Sequence, residues 1–161
     1  MAAAVRLSQL DQELLRTARR AVLATIADDG RAALVPVCFC VAPDAAADGE
    51  VVIYSPLDAK PKRGADPLRL ARVRNLLARP AVTLLVDRWD EDWTRLAWLR
   101  LEGAARILPP PEPAGETPPG DERAIAIAGL RARYPQYRTQ ALESHPLVRI
   151  AVSRVVGWSA A

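Results

Sequence analysis

AVLATIADDGRAALVPVCFCV, residues 21–41, is two runs of strand-forming residues around an Asp-Asp-Gly turn. Asp-Gly between apolar runs is a strong hairpin signal. The spacing predicts a strand over 21–27, a tight turn at 28–31 and a partner strand over 32–43. Pro36 has no N–H to give to a ladder, so the second strand is an edge strand or is bulged there.

Working outward, SQLDQELLRTARR (8–20) predicts a helix. Ser8 is placed to cap it, Asp11 falls near its third position, and arginines fill its last turn. Leu10, Leu14, Leu15 and Ala18 share its apolar face. EVVIYSP (50–56) is a third strand and leads into the basic turn LDAKPKR. ADPLRLARVRNLLARP (65–80) is a helix started by Asp66-Pro67, with Leu70, Val73 and Leu77 as its stripe and Arg69 and Arg72 on a shared flank. AVTLLVD (81–87) is a buried fourth strand. TRLAWLRLEGAARIL (94–108) is a long fifth strand that Gly103 bends. The segment 109–120 carries six of the fourteen prolines and reads as a surface loop inside one domain, residues 1–161. A helix over 121–135, capped by Asp121, puts Ile127, Leu130 and Tyr134 into the core. A closing strand covers 147–158. Six strands, most joined as hairpins, predict a mainly β (α+β) fold: a six-stranded antiparallel barrel with peripheral helices.

Composition narrows the function classes. Half the 161 residues are hydrophobic, a quarter are charged, and the net charge is +3. That is ordinary for a globular domain and too mild for a dedicated nucleic-acid binder. The aromatics cluster in an acidic loop rather than among the arginines, which also argues against single-strand binding. No run of 18 apolar residues suggests a membrane span, and the N-terminus lacks a signal-peptide core, so a cytoplasmic protein is expected. Cys38 and Cys40 read as small buried residues, and with His145 the only histidine no metal site is expected. No nucleophile–base set, P-loop or Rossmann glycine pattern occurs. The catalytic residues stay unknown at this level.

The basic turn is the chemical signal. The chain's two lysines are Lys60 and Lys62, two apart, followed by Arg63, and every other basic residue is arginine. An ammonium is a compact charge suited to a phosphate oxygen. The helix begun near Asp66 would add an N-terminal dipole, and Ser55 a hydroxyl.

The hairpin, the strand EVVIYS, the turn DAKPKR, the helix end RNLLARP, the strand AVTLLVD and LEGAARIL together resemble the pyridoxamine 5′-phosphate oxidase-like split β-barrel family. The match is to its branch of probable F420-dependent flavin and deazaflavin oxidoreductases, and LLVDRWDEDWTRLAWLRLEGAARI is its most specific part. The resemblance implies a homodimer with cofactor sites at the interface, a small-molecule substrate, and no nucleic-acid or membrane partner. It implies F420 as cofactor, with FMN as the alternative. The phosphate would be held by Ser55, Lys60 and Lys62, with Arg63, Arg74 and Asn75 nearby. The ring would lie against Pro36, Val37 and Cys38. Trp89 and Trp93 are the substrate-pocket candidates, whereas Trp98 in its strand reads as structural. Asp87, Asp90, Glu91 and Asp92 are candidates to pair with a partner's arginines or with the basic turn. The implied activity is hydride transfer between F420 and an unknown small organic acceptor, with bulk water or a tyrosine such as Tyr54 supplying the proton. The alternatives are an FMN-dependent oxidoreductase and a non-catalytic F420- or FMN-binding protein.

Overall fold

A computed structural model describes residues 5–43, 50–57, 66–112 and 118–160. Its strands are β1 (Ala21–Ile26), β2 (Ala32–Val37), β3 (Cys40–Val41), β4 (Val52–Pro56), β5 (Ala81–Arg88), β6 (Ala97–Leu108) and β7 (Leu147–Ser159). They form one sheet in the order β2-β1-β5-β6-β7-β4-β3, with every pairing antiparallel. Only Cys38 and Phe39 separate β2, at one end of that order, from β3, at the other. The sheet therefore curls into a half-barrel. The helices are α1 (Gln9–Thr17), α2 (Ala71–Ala78) and α3 (Glu122–Arg133). Among the described residues, no helix is long and apolar enough to cross a membrane.

The count of seven corrects the expected six, and the reason is local. Pro36 donates no ladder bond. Three residues on, the Phe39 N–H turns aside to the Tyr134 hydroxyl at 3.1 Å. The run predicted as one strand over 32–43 thus breaks at Cys38–Phe39 and resumes as β3, paired to β4 through Cys40 and Tyr54. The hairpin turn is as expected, with Gly30 at φ 82°.

Gly103 marks the bend in β6. The register to β7 shifts between Glu102 and Gly103. A Cβ at Gly103 would stand 2.2 Å from the Ala151 carbonyl oxygen, so a side chain has no room there.

The helix ends follow their caps. Ser8 and Asp11 form a reciprocal capping box on α1. Asp121 caps α3 through the Arg123 N–H at 2.8 Å. Asp66-Pro67 opens a single 3-10 turn, Pro67–Arg69, and α2 starts only at Ala71. That rotation moves Leu77 outward and Leu76 inward, against the predicted stripe, while Val73 is buried as expected. Leu10 also lies on the exposed side of α1.

Two cores result. The larger fills the curl with Leu23, Leu84, Leu99, Leu101 and Ile150, closed by Leu14 and Leu15 of α1 and Val73 and Leu76 of α2. The smaller joins β3, β4 and the start of β7 to α3 through Tyr54, Leu130, Tyr134 and Tyr137.

Candidate cofactor and substrate site

The inner faces of the strands are consumed by the core, so the outer faces decide what the sheet can bind. Cross-strand register aligns Pro36, Val22, Leu85, Arg100 and Val156 in one row across β2, β1, β5, β6 and β7. The row beside it carries Asp87, Trp98 and Trp158. This face is open and mixed: Leu34 is 67 % exposed and Trp158 49 %, while Glu102 pairs with both Arg100 and Arg154 beside them. β2 ends the sheet order, so half its main-chain groups point away from β1.

At the β5–β6 end of this face lies a cleft of about 520 Å³, walled by Leu85, Trp89, Leu96, Trp98 and Trp158. Its polar rim is Asp87, Arg88 and Arg100. Its volume is in the range of small-molecule sites. Trp89, a substrate-pocket candidate, lines it. Trp93 does not; it heads the turn Trp93–Arg95 and is exposed. Trp98, read from sequence as structural, is a wall of the cleft instead, directly across from Trp158. The signal was present: in β6 the residues Trp98, Arg100 and Glu102 alternate with buried Ala97, Leu99 and Leu101.

Asp90 and Asp92 of the acidic loop find partners within it. Asp90 pairs with Arg95 at 3.0 Å, and Asp92 accepts from the Thr94 N–H and hydroxyl. Those Thr94 bonds hold the Asp92 carboxyl below its ordinary range. Arg88 Nε donates to the Arg95 carbonyl at 2.7 Å and closes the loop.

Of the expected phosphate end, the structure describes β4 and α2. Ser55 is buried near the end of β4, and continuing the β3–β4 register sets it across from Phe39. Val37 is buried, Cys38 half-buried and Pro36 exposed. Arg74 is exposed on α2. Asn75 is turned inward, where its Nδ2 donates to Thr25 Oγ1 at 3.0 Å. Lys60, Lys62 and Arg63 lie outside the described residues.

Three buried or half-buried groups are committed elsewhere. The Tyr54 hydroxyl donates to Glu122 Oε1 at 3.0 Å, within an ion cluster that includes Arg149, Arg106 and Glu50. Burial and the Glu122 carboxylate both push its phenol well above the ordinary range. Burial pushes the Cys40 thiol up to about 12, and its Sγ donates to the Ala126 carbonyl. His145 sits on the connection between α3 and β7, its Nδ1 2.9 Å from the Ala141 carbonyl.

A family model described as pyridoxamine 5′-phosphate oxidase matches residues 7–159. The chain belongs to this family. No curated protein sequence matches the chain. Among solved structures, an F420 reductase superposes with TM-score 0.58 at 21 % identity, covering 90 % of this chain and 94 % of that one. A FAD-binding protein of Mesorhizobium loti gives TM-score 0.58 at 22 % identity, covering 94 % of each chain. The heme-storage protein HutZ of Vibrio cholerae gives TM-score 0.62 at 14 % identity, covering 96 % of this chain and 95 % of that one. The likeness establishes a split-barrel fold that serves flavin-, deazaflavin- and heme-binding proteins, oxidoreductases among them.

Proposed function

We propose that this member of the pyridoxamine 5′-phosphate oxidase family is an F420-dependent reductase acting as a homodimer. The observation that carries the reading is the outer sheet face. It runs from the edge strand at Pro36 through Val22 and Leu85 to the tryptophan cleft, with the Arg100–Glu102–Arg154 ion pairs beside that row. Exposed Leu34, Leu85 and Trp158 on one face call for a cover. A second copy would cover it and enclose two sites between the protomers.

In this reading Ser55, Lys60, Lys62 and Arg63 bind the cofactor phosphate, with Arg74 adding charge from α2. Asn75 acts indirectly, by fastening α2 to β1. Main-chain groups of Pro36, Val37 and Cys38 meet the polar edge of the ring. When bound, F420 supplies the hydride. Trp89, Trp98 and Trp158 wall the acceptor and keep water out, and Trp93 remains a candidate contact toward the second copy. Solvent supplies the product proton, because the Tyr54 hydroxyl is committed to Glu122. FMN is the alternative cofactor, and the FAD-binding structural neighbour favours a flavin as second choice. A heme reading has less support: the chain's single histidine stands on the α3–β7 connection, away from the open face.

A turnover assay tests the reading. Reduced F420 is mixed with the protein and a panel of electron-poor alkenes and nitroaromatics, and its oxidation is followed anaerobically. Catalysed oxidation that Trp98→Ala slows by about tenfold or more supports a reductase. Binding of F420 with no turnover on any acceptor supports the non-catalytic alternative.

A further inference from the structure

A second cleft, of about 620 Å³, opens between α1, β3 and α3. It shares no lining residue with the tryptophan cleft. Its walls are aliphatic: Leu7 and Leu15 from the α1 side, and Val41, Ala42 and Pro43 from β3 and beyond. Gly129 and Ala132 of α3 leave the fourth side open, and Gly129 packs at Cys40 without a side chain. Around these walls stand three guanidinium groups, those of Arg16, Arg19 and Arg133. No Asp or Glu lines the cleft among the described residues.

Two of the three arginines are held in place. Arg133 donates to the carbonyls of Leu15, Arg16 and Ala18 at the end of α1, and its guanidinium lies 4.5 Å over the Phe39 ring. Arg19 answers by donating to the Arg133 carbonyl at the end of α3, 4.8 Å over the Tyr134 ring. These carbonyls end α1 and α3, where the helix dipole offsets part of the charge, and with its Nε also donating to the Tyr134 hydroxyl Arg133 has almost no donor left to offer. A guanidinium has five donors, and Arg19 keeps most of its own. Arg16, in the last turn of α1, has no side-chain partner among the described residues. The free donors of Arg16 and Arg19, beside an apolar cleft that no described carboxylate lines, are poised for an anion with an apolar body.

We propose that this cleft binds an aliphatic carboxylate, its chain against Leu7, Leu15 and Val41 and its head on Arg16 and Arg19. The aliphatic lining favours a saturated chain over an aromatic ring. The planar guanidinium forks match the two oxygens of a carboxylate.

The test is a ¹⁵N NMR titration of the full-length protein with sodium decanoate, and in parallel with decan-1-ol. Expected are amide shifts at Val41, Gly129 and Ala132, and decanol binding weaker by about tenfold or more. Arg16→Gln should weaken decanoate by about tenfold while leaving decanol unchanged. Ala132→Trp, at an exposed helix position, should fill the cleft and abolish both. Should Ala132→Trp disturb the unliganded spectrum, Arg16→Gln and the decanol comparison decide without it. Decanol binding as tightly as decanoate overturns the proposal, as do shifts confined to the Trp98–Trp158 region.

Discussion

The Asn75 side-chain amide donates to the Thr25 hydroxyl at 3.0 Å, and both residues are buried. The bond fastens α2 to β1 across fifty residues of sequence. Breaking one side of such a pair strands the other polar group. Asn75→Leu should therefore cost about 2 kcal/mol. The double change Asn75→Leu/Thr25→Val should cost less than the sum of the singles. Urea unfolding of the four proteins measures both, and strict additivity would show that the pair is not coupled.

A second buried polar group has a larger task. Arg123 is 7 % exposed and donates to the carbonyls of Leu108, Leu142, Glu143 and His145. It joins the end of β6, the start of α3 and the approach to β7. Arg123→Ala should destabilise by about 3 kcal/mol, read as a lower urea midpoint. A loss within about 0.5 kcal/mol would contradict that role.

Acid should loosen the α3 side before the curl. Burial alone would raise the Glu122 pKa, but its bonds to Arg149 and Tyr54 and the nearby Arg106 outweigh this and hold the group below its ordinary 4.5. Arg131 does the same for Glu143. A carboxylate with a depressed folded pKa stabilises fully above its unfolded value and loses that contribution as pH falls through the folded one. Stability should thus fall below about pH 4.5, and Glu122→Gln should flatten that fall. Thermal midpoints between pH 3 and pH 7, with or without the substitution, are the check.

The fold was legible where local signals agreed with tertiary demand. The Asp-Gly turn, the Ser8–Asp11 cap and the bend at Gly103 each carry their own chemistry, and each stands where the residues put it. The split of β2 from β3 was not legible, because it depends on the Tyr134 hydroxyl, ninety-five residues away, reaching Phe39. The rotation of α2 depends likewise on the Asn75–Thr25 bond and on a 3-10 turn that the Asp-Pro start does not announce. Of the candidate site, the Pro36 edge and Trp89 were readable locally. Trp98's place on the cleft wall follows from strand alternation along β6. Trp158 entered only through its register with Trp98.

The open sheet face makes an assembly prediction. Leu34 lies on it and is among its most exposed side chains. The wild type should sediment as a dimer at micromolar concentration, and Leu34→Glu as a monomer, since a buried unpaired carboxylate opposes association. A monomeric wild type would remove the enclosed two-copy site.

The cofactor claim has its most direct test in a fluorescence-polarisation titration of F420 and, separately, FMN into the wild type and the Lys60→Ala/Lys62→Ala double variant. The account predicts saturable F420 binding by the wild type, weaker FMN binding, and a loss of about tenfold to a hundredfold in F420 affinity when both lysines are removed. A wild type that binds neither cofactor would contradict the account. A double variant that binds F420 as tightly as the wild type would contradict the phosphate grip.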